Sequence, residues 1–430
     1  MADDPLISGP ASSEPGVAPA GRLPPGFRAL RYPGFRLYFV GMLLRGTAVW
    51  MQLIGLPWYA VELHASPLEL GVVTAVQSLP FLIVAPIGGV IADLVERGRV
   101  LLLAQLGVFV QSAILVVLVV TGSGTIPAIA VLGAISGVLI AVELPVRQAY
   151  LGDLVPPDDV TSAVSLHSTA FNTSRFIGPG VAGILIASVG LESVFATAAV
   201  FSLGVALTVV VGERSKPYRR AISLGDLTIR EAFVAGARFA AAEPRIRTAL
   251  LFVAAASIFA IQAFQTLAPL FVGTLGLDGG GYGAYMALWG GGAVVAAYLV
   301  TLLAHGDRRR WLFGGASALA LLLGVLAVTT SVPLAFVLAA LLGAGQIALV
   351  TNALVEVQDA VPDELRGRVL GFYTTLYQGT APIGSILAGG LASLFDVRLA
   401  MLAGAAALGV AIAVGLVAVR AGRPAPAGLA

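Results

Sequence analysis

Five ionisable side chains interrupt long apolar stretches of this sequence: Arg45, Glu143, Arg147, His167 and Arg175. Glu143 and Arg147 are spaced i, i+4, the order along a helix that favours an ion pair, and Pro145 between them loosens the turn. Such a pair can be purely structural, or it can open and close as the molecule works. Protonation of Glu143 would release Arg147, and His167 adds a group able to titrate near neutrality. At a rise of about 1.5 Å per residue, Arg45 and Arg175 fall near the middle of their runs, with His167, Glu143 and Arg147 displaced toward one end. Arg45, Gln52, Asn172 and Arg175 of the first half, with Gln262, Gln265, Tyr285 and Gln378 of the second, are expected to line a substrate cavity. The second half offers Gln262, Gln265, Tyr285, Trp289, Gln346, Tyr377 and Gln378, with no charge at depth. Amides and rings can wall a pocket for a small organic solute, or they can hydrogen-bond helix to helix.

The elements that position these residues follow from composition. Of the 430 residues 58% are hydrophobic and 11% charged, with a mean hydropathy of +0.94, where a soluble domain carries roughly a quarter charged residues. The solvent for such a chain is lipid. Apolar runs of spanning length begin near Phe35, Leu68, Val100, Ile126, Ala163 and Leu191, then near Thr248, Gly280, Trp311, Val332, Val369 and Arg398. They are continuously apolar, which excludes barrel strands and predicts an all-α membrane protein of twelve transmembrane helices in two six-helix bundles. The expected organisation is a disordered tail over 1–32, a bundle over 33–211, a linker over 212–247, a second bundle over 248–420 and a tail over 421–430. Asp153, Pro156, Gly178 and Gly183 recur as Asp359, Pro362, Gly384 and Gly389, each pair 206 positions apart as 153 is from 359. Two parallel halves are implied. The N-terminus opens with two Asp and lacks a basic and apolar leader, so it reads as a tail rather than a secretory signal.

Basic residues gather in alternate connections: Arg97 and Arg99, Arg214 to Arg220, Arg308 to Arg310, and Arg366 and Arg368. Those loops, and both termini, are expected in the cytoplasm, with the chain in the inner (plasma) membrane. Within the linker, Ile229, Phe233, Ala237 and Ala240 can share one helical face, which fits a short helix on the inner leaflet. A solvated basic linker fits as well. The absence of Cys removes disulfide, thiolate and iron–sulfur chemistry, and three scattered His point away from a built-in metal site, so neither metal nor cofactor is expected.

The segment GGVIADLVERGRVLLL resembles the loop between the second and third helices of the major facilitator superfamily, carried by Asp93, Arg97 and Arg99. ELPVRQAYLGDLVPPDDVTSAVSLHSTAFNTSRFIGPGVAGILIAS is similar to the fourth-to-fifth helix region of the branch with enterobactin exporters and macrolide-efflux proteins, which are drug:proton antiporters. Within it, Gly178, Pro179 and Gly183 resemble the antiporter motif, with Ser174 and Ala182 in place of two of its glycines. A Gly–Pro step suits a hinge, or merely kinks a packed helix. The resemblance implies a cytoplasmic gate in which Asp93 approaches Arg366 and Arg368. By the repeat, Asp307 with Arg308 to Arg310 would approach Asp158 and Asp159. A solvated loop of mixed charge is the alternative to such a gate.

The implied function is secondary transport by alternating access: export of a small organic metabolite or drug against protons, from a monomer in the bilayer. An importer or uniporter of a small solute is the alternative. Arg45 and Arg175 meet no acidic residue at their own level: either they bond backbone carbonyls and Glu143 reaches up to one of them, or they line a wet cavity, which tilts the expected substrate toward an anion with a neutral macrolide-like compound as the alternative. Segments that would bind ATP or make a membrane-embedded enzyme are missing: there is no G-x-x-x-x-G-K-[ST], H-E-x-x-H or G-x-S-x-G. Two similar halves suit a rocking machine better than a channel, and nucleic acid is not an expected partner.

Overall fold

The computed structural model describes residues 24–94, 96–213, 238–303 and 308–421, and within them every side chain except those of 84–94, 301–303, 308–309, 363–364, 366–368 and 418–421. The apolar runs fold as helices, which alone satisfy their own backbone groups where water is absent. In order they are α1 (Pro33–Glu62), α2 (Pro67–Leu94), α3 (Arg97–Thr121), α4 (Ile126–Leu154), α5 (Val160–Ser188) and α6 (Leu191–Glu213). Then come α7 (Pro244–Ala255), a π-helical turn over Ala256–Ile261 and α8 (Gln262–Thr274), followed by α9 (Gly279–Leu303), α10 (Arg308–Val328) and α11 (Val332–Ala360). The last are α12 (Asp363–Gln378), α13 (Ala381–Leu394) and α14 (Val397–Ala421). Among the described residues nine helices are long and apolar enough to cross a membrane, with α7, the π turn and α8 counted as one.

Several helices begin before their apolar runs, α12 at Asp363 rather than near Val369. Polar first turns and proline in the first positions of α1, α4, α7, α11 and α13 let the helix start outside the apolar stretch. The run beginning near Val369 is broken at Gly379 and Thr380 into α12 and α13. Below, the near face is the end of the molecule where α1 begins, and the far face the end where α1 finishes.

The expected disordered tail over 1–32 needs correction at its end. Pro25–Arg31 form a 3-10 helix seated on the start of α5. Ala29 is fully buried and its N–H donates to Ser162 Oγ at 3.1 Å, while Ser162 Oγ donates to the Gly26 carbonyl at 2.9 Å. Asp159, just before α5, accepts from Arg31 Nη2 at 2.5 Å and from the Tyr32 hydroxyl at 2.7 Å. Those bonds satisfy backbone that composition alone would leave to solvent. They give Asp159 the partners Arg31 and Tyr32; of the residues expected to approach it, Asp307 lies outside the described residues, and so do the side chains of Arg308 and Arg309.

The packing displays the 206-residue repeat. Gly183 on α5 meets α9: a Cβ there would stand 2.8 Å from Gly283 Cα and 3.0 Å from the Gly280 carbonyl oxygen. Its counterpart Gly389 on α13 meets α2, where a Cβ would lie 3.0 Å from Gly71 Cα. Gly178 and Gly384 correspond too. The first seats α5 on α1 beside the Thr47 carbonyl, and the second seats α13 on the π turn beside the Ile258 carbonyl. Small residues here let backbones approach until dispersion holds them. Near the far face Leu68 N–H donates to Ser393 Oγ at 2.8 Å, extending the α2–α13 contact, and Trp58 of α1 stacks on Tyr282 of α9 at 5.6 Å.

A β-branched residue at the α5–α9 contact has no room to relax, because the obstacle is backbone. Gly283→Val should destabilise the protein by about 1–3 kcal/mol, read as a lower unfolding midpoint in detergent. Gly390→Ala, where a Cβ meets nothing within 4 Å, is the control and should leave the midpoint unchanged.

The Tyr32 hydroxyl supports a second test. Its pKa is raised above the ordinary 10.0 by burial first and then by its hydrogen bond to Asp159. Because the folded value lies above the unfolded one, its contribution is complete below about pH 10 and is lost as pH climbs through the raised value. Tyr32→Phe should therefore delete a late tyrosinate step above pH 10 in absorbance at 295 nm. An unchanged titration curve would contradict this placement.

Candidate functional site

Glu143 is 1% exposed inside the first six helices. Its Oε1 accepts from Arg147 Nε at 2.8 Å and from Arg147 Nη2, one turn along α4. Gln105 Nε2 on α3 donates to the same oxygen at 2.8 Å. Arg45 Nε on α1 lies 2.7 Å away, within ion-pairing distance, yet neither Nε nor Nη2 of Arg45 has an aligned acceptor among the described residues. Two buried guanidiniums thus share one carboxylate, and the Arg45 edge retains unused donors. The i, i+4 pair of the sequence is present, and Glu143 also reaches Arg45.

Polar neighbours continue the column. Tyr38 on α1 shares a 2.7 Å hydrogen bond with His167 Nδ1 on α5, and its ring lies 5.9 Å from the Arg147 guanidinium carbon. Further toward the far face, Gln52 Nε2 donates to Gln111 Oε1 at 3.1 Å and to Ser112 Oγ at 2.6 Å. Gln52, placed by sequence in a substrate cavity, is a buried α1–α3 tie.

A second arrangement sits between the halves. Arg175 on α5 is 5% exposed, and its guanidinium carbon lies 4.0 Å from the centre of the Trp289 ring on α9 and 5.5 Å from that of Trp50 on α1. The two indoles meet edge to face at 5.9 Å. Each cation–π contact of a desolvated arginine contributes about 0.5–2 kcal/mol. The close α1–α5 contact of Gly46 with Ser174 puts Arg45 and Arg175 at one level. Toward the near face α5 exposes Thr161, Ser165, Ser168 and Thr169, while Asn172 is half-buried.

Other candidates are distributed differently. Asn172 Nδ2 donates to the Ser168 carbonyl of its own helix at 2.9 Å. Gln262 accepts from Ser385 Oγ at 3.0 Å, tying α8 to α13. Tyr285 is fully buried against Phe264, Phe271 and Phe336, and its hydroxyl has no partner among the described residues. Gln52, Gln262 and Tyr285 are thus packing groups rather than open cavity wall, because interhelical contacts bury them. Gln265 and Gln378 are half-buried, and the Tyr377 hydroxyl accepts from Gln346 Nε2 at 3.0 Å.

At the near face Arg97 Nη1 donates to both carboxylate oxygens of Asp153, at 2.7 and 2.9 Å, and Arg99 is an exposed partner of Glu96. The proposed gate partners Asp93, Asp307, Arg366 and Arg368 lie outside the described side chains; of the expected interfacial helix of the linker only 238–240 are described, as helix, with Ala240 buried in the core. Sequence reasoning missed Gln105, Tyr38 and Trp50. Gln105 was detectable as an amide inside the apolar run of α3; a buried Trp or Tyr carries no such signal.

Residues 25–424 match the profile of a family described as transmembrane secretion effectors. The chain belongs to this family of major facilitator transporters. It is 26% identical to the multidrug efflux pump Tap of Mycolicibacterium fortuitum over 366 residues, 83% of this chain and 88% of that one. It is 35% identical to the staphyloferrin A transporter of Staphylococcus aureus over 153 residues, which span 35% of this chain and 38% of that protein. Among solved structures, the nucleoside transporter NupG superimposes with a TM-score of 0.69 at 12% identity, covering 90% of this chain and 98% of that one. A bacterial homolog of human Spinster in an inward-facing, unoccupied conformation gives 0.67 at 15% identity, covering 95% and 100%. These structural likenesses establish the fold.

For the transporter, removing Glu143 leaves two buried cations without their counter-charge. Glu143→Ala should destabilise it by about 3–5 kcal/mol, lowering the yield of monodisperse protein and its unfolding midpoint. Adding Arg147→Met to that change should restore part of the loss; a double variant no better than the single one would contradict the pairing.

Proposed function

We propose that this transporter exports an acid-bearing small organic molecule from the cytoplasm in exchange for protons, by alternating access. The observation that carries the reading is the charge at mid-depth: Arg45, Arg147 and Arg175 lie there, and Glu143 is the one carboxylate among the described residues that pairs at that level. Uncompensated guanidinium at that depth is costly unless it meets water or an anion, so a negatively charged solute is the ligand such a site favours. A relative named as a multidrug efflux pump, matched over most of both chains, supports export. The relative named as a staphyloferrin A transporter supports a small organic cargo.

In this reading α7, the π turn and α8 form one span and α12 with α13 another, giving twelve, with 33–211 and 248–420 as two bundles related by an axis along the membrane normal. The near face is cytoplasmic: exposed Arg28, Arg31, Arg36 and Arg99 lie there, whereas Arg398 is at the far face. Both termini then lie in the cytoplasm of a monomer in the inner membrane. Asp93, Asp307, Arg366 and Arg368 close its cytoplasmic gate, with Arg97 held by Asp153 as an anchor.

Coupling runs through Glu143. Protonation removes the charge that holds Arg147 and Arg45, so the helices carrying them are freed to repack, with the Tyr38–His167 pair beside them as the proton's relay. The test uses the purified protein in liposomes loaded with candidate organic acids under an imposed pH gradient. Proton-driven movement should collapse with a protonophore, and Glu143→Gln should lower it more than about tenfold while exchange without a gradient persists. Net movement by the unmodified protein that is equal with and without the gradient would rule out proton coupling.

A further inference from the structure

Among the described residues Arg175 differs from its neighbours Arg45 and Arg147 in pairing with no carboxylate. Among the described residues the ion pairs of this level belong to Arg45 and Arg147, and the Arg175 charge rests on the ring faces of Trp289 and Trp50. Among the described residues its Nε–H has no acceptor, although the side chain is 5% exposed. The three residues come from α5, α9 and α1, so this contact joins the first six helices to the second set. It sits where α5 and α9 touch most closely at mid-depth, since a Cβ on Gly290 would overlap the Arg175 carbonyl.

The surface leading to it is graded. Thr161, Ser165, Ser168, Asn172 and Arg175 recur every three or four residues, so they lie on one face of α5. The first three are exposed, Asn172 is half-buried and Arg175 is buried. A row of hydroxyls and an amide therefore runs from the near face to the guanidinium. Beside its end Phe171 lies 6.2 Å from Trp50, and Phe264 lies 6.1 Å from Trp289.

We propose that Arg175 with Trp50 and Trp289 is the acid-binding subsite of the transporter, and that it takes the carboxylate of an organic anion carrying an apolar ring or chain. The carboxylate accepts from the free Nε–H, and the apolar part lies against the indole faces. A charge-assisted hydrogen bond is stronger than a cation–π contact, so the bound acid draws the guanidinium from Trp289 and loosens the α5–α9 contact. The ligand thereby favours the arrangement in which the halves have moved apart, to the extent that it binds that arrangement more tightly. The inference deepens the export of an acid argued above and rests on it for the direction of movement only.

The test uses the full-length protein in lipid nanodiscs, titrated with cyclohexanecarboxylate and with cyclohexanecarboxamide, which share a shape, differ in charge and leave tryptophan emission unobscured. The carboxylate should change the emission saturably, with half-saturation about tenfold or more below that of the amide. Arg175→Gln should abolish that preference. Arg175→Lys, which keeps charge but loses the plane, should keep the preference with a smaller emission change. Trp289→Phe should remove most of the emission change while calorimetry still detects the preferred acid.

Equal responses to acid and amide, no response to either at millimolar concentration, or a preference that survives in monodisperse Arg175→Gln would each overturn the subsite. The two readings fail separately. If the charge preference follows these variants but liposomes move no acid under a pH gradient, the subsite stands and proton-driven export falls. If export proceeds undiminished in Arg175→Gln, the subsite falls and export stands.

Discussion

One carboxylate oxygen, Glu143 Oε1, holds together three helices of the first half, since Arg147 and Glu143 come from α4, Gln105 from α3 and Arg45 from α1. The cost of taking these charges out of water is met only while they remain paired, so the cluster tolerates few arrangements and each is well defined. With two guanidiniums on one acid, its state of protonation decides how strongly α1 and α4 are bound together. Beyond Tyr38 and His167 the packing around it is apolar and close.

Between the halves the forces are of another kind. At the far face the contacts are backbone against backbone, Gly183 on Gly283 and Gly71 on Gly389, where each interaction is weak and depends on fit. At mid-depth they give way to a cation on aromatic rings. Among the described residues the ion pairs at depth lie inside the first half, while the contacts between halves are backbone packing and the Arg175 cation on its rings, so separating the halves at these contacts breaks no ion pair.

Much of the fold was legible because lipid demands long apolar helices, and the 206-residue repeat pointed to glycines whose contacts correspond in space. The Glu143–Arg147 pair was legible from helical spacing alone. That Glu143 reaches up to a mid-depth arginine was one of two readings, but which of Arg45 and Arg175 it meets could not be read, since the rotation of α1 against α4 is set by packing of apolar residues that carry no distinguishing mark. The amides Gln52 and Gln262 were read as cavity wall for the same reason: depth follows from counting residues, whereas direction needs the neighbours. The 3-10 helix at Pro25–Arg31 escaped because its bonds go to Ser162 and Asp159, more than a hundred positions away.

The π turn at Ala256–Ile261 has a geometric consequence for the rod that contains it. A π turn accommodates one residue more than an α turn, and an α-helix advances about 100° per residue. The segment ahead of the turn, with Phe252 and Val253, and the segment behind it, with Gln262 and Thr266, are therefore offset by about that angle from where an unbroken α-helix would set them. One inserted residue aims two polar side chains at Ser385 while leaving the apolar faces of α7 on their own neighbours. Deleting a single residue there would return the rod to regular α geometry with both segments still facing their present neighbours, whereas closing the turn with every residue kept would rotate all side chains on one side of it.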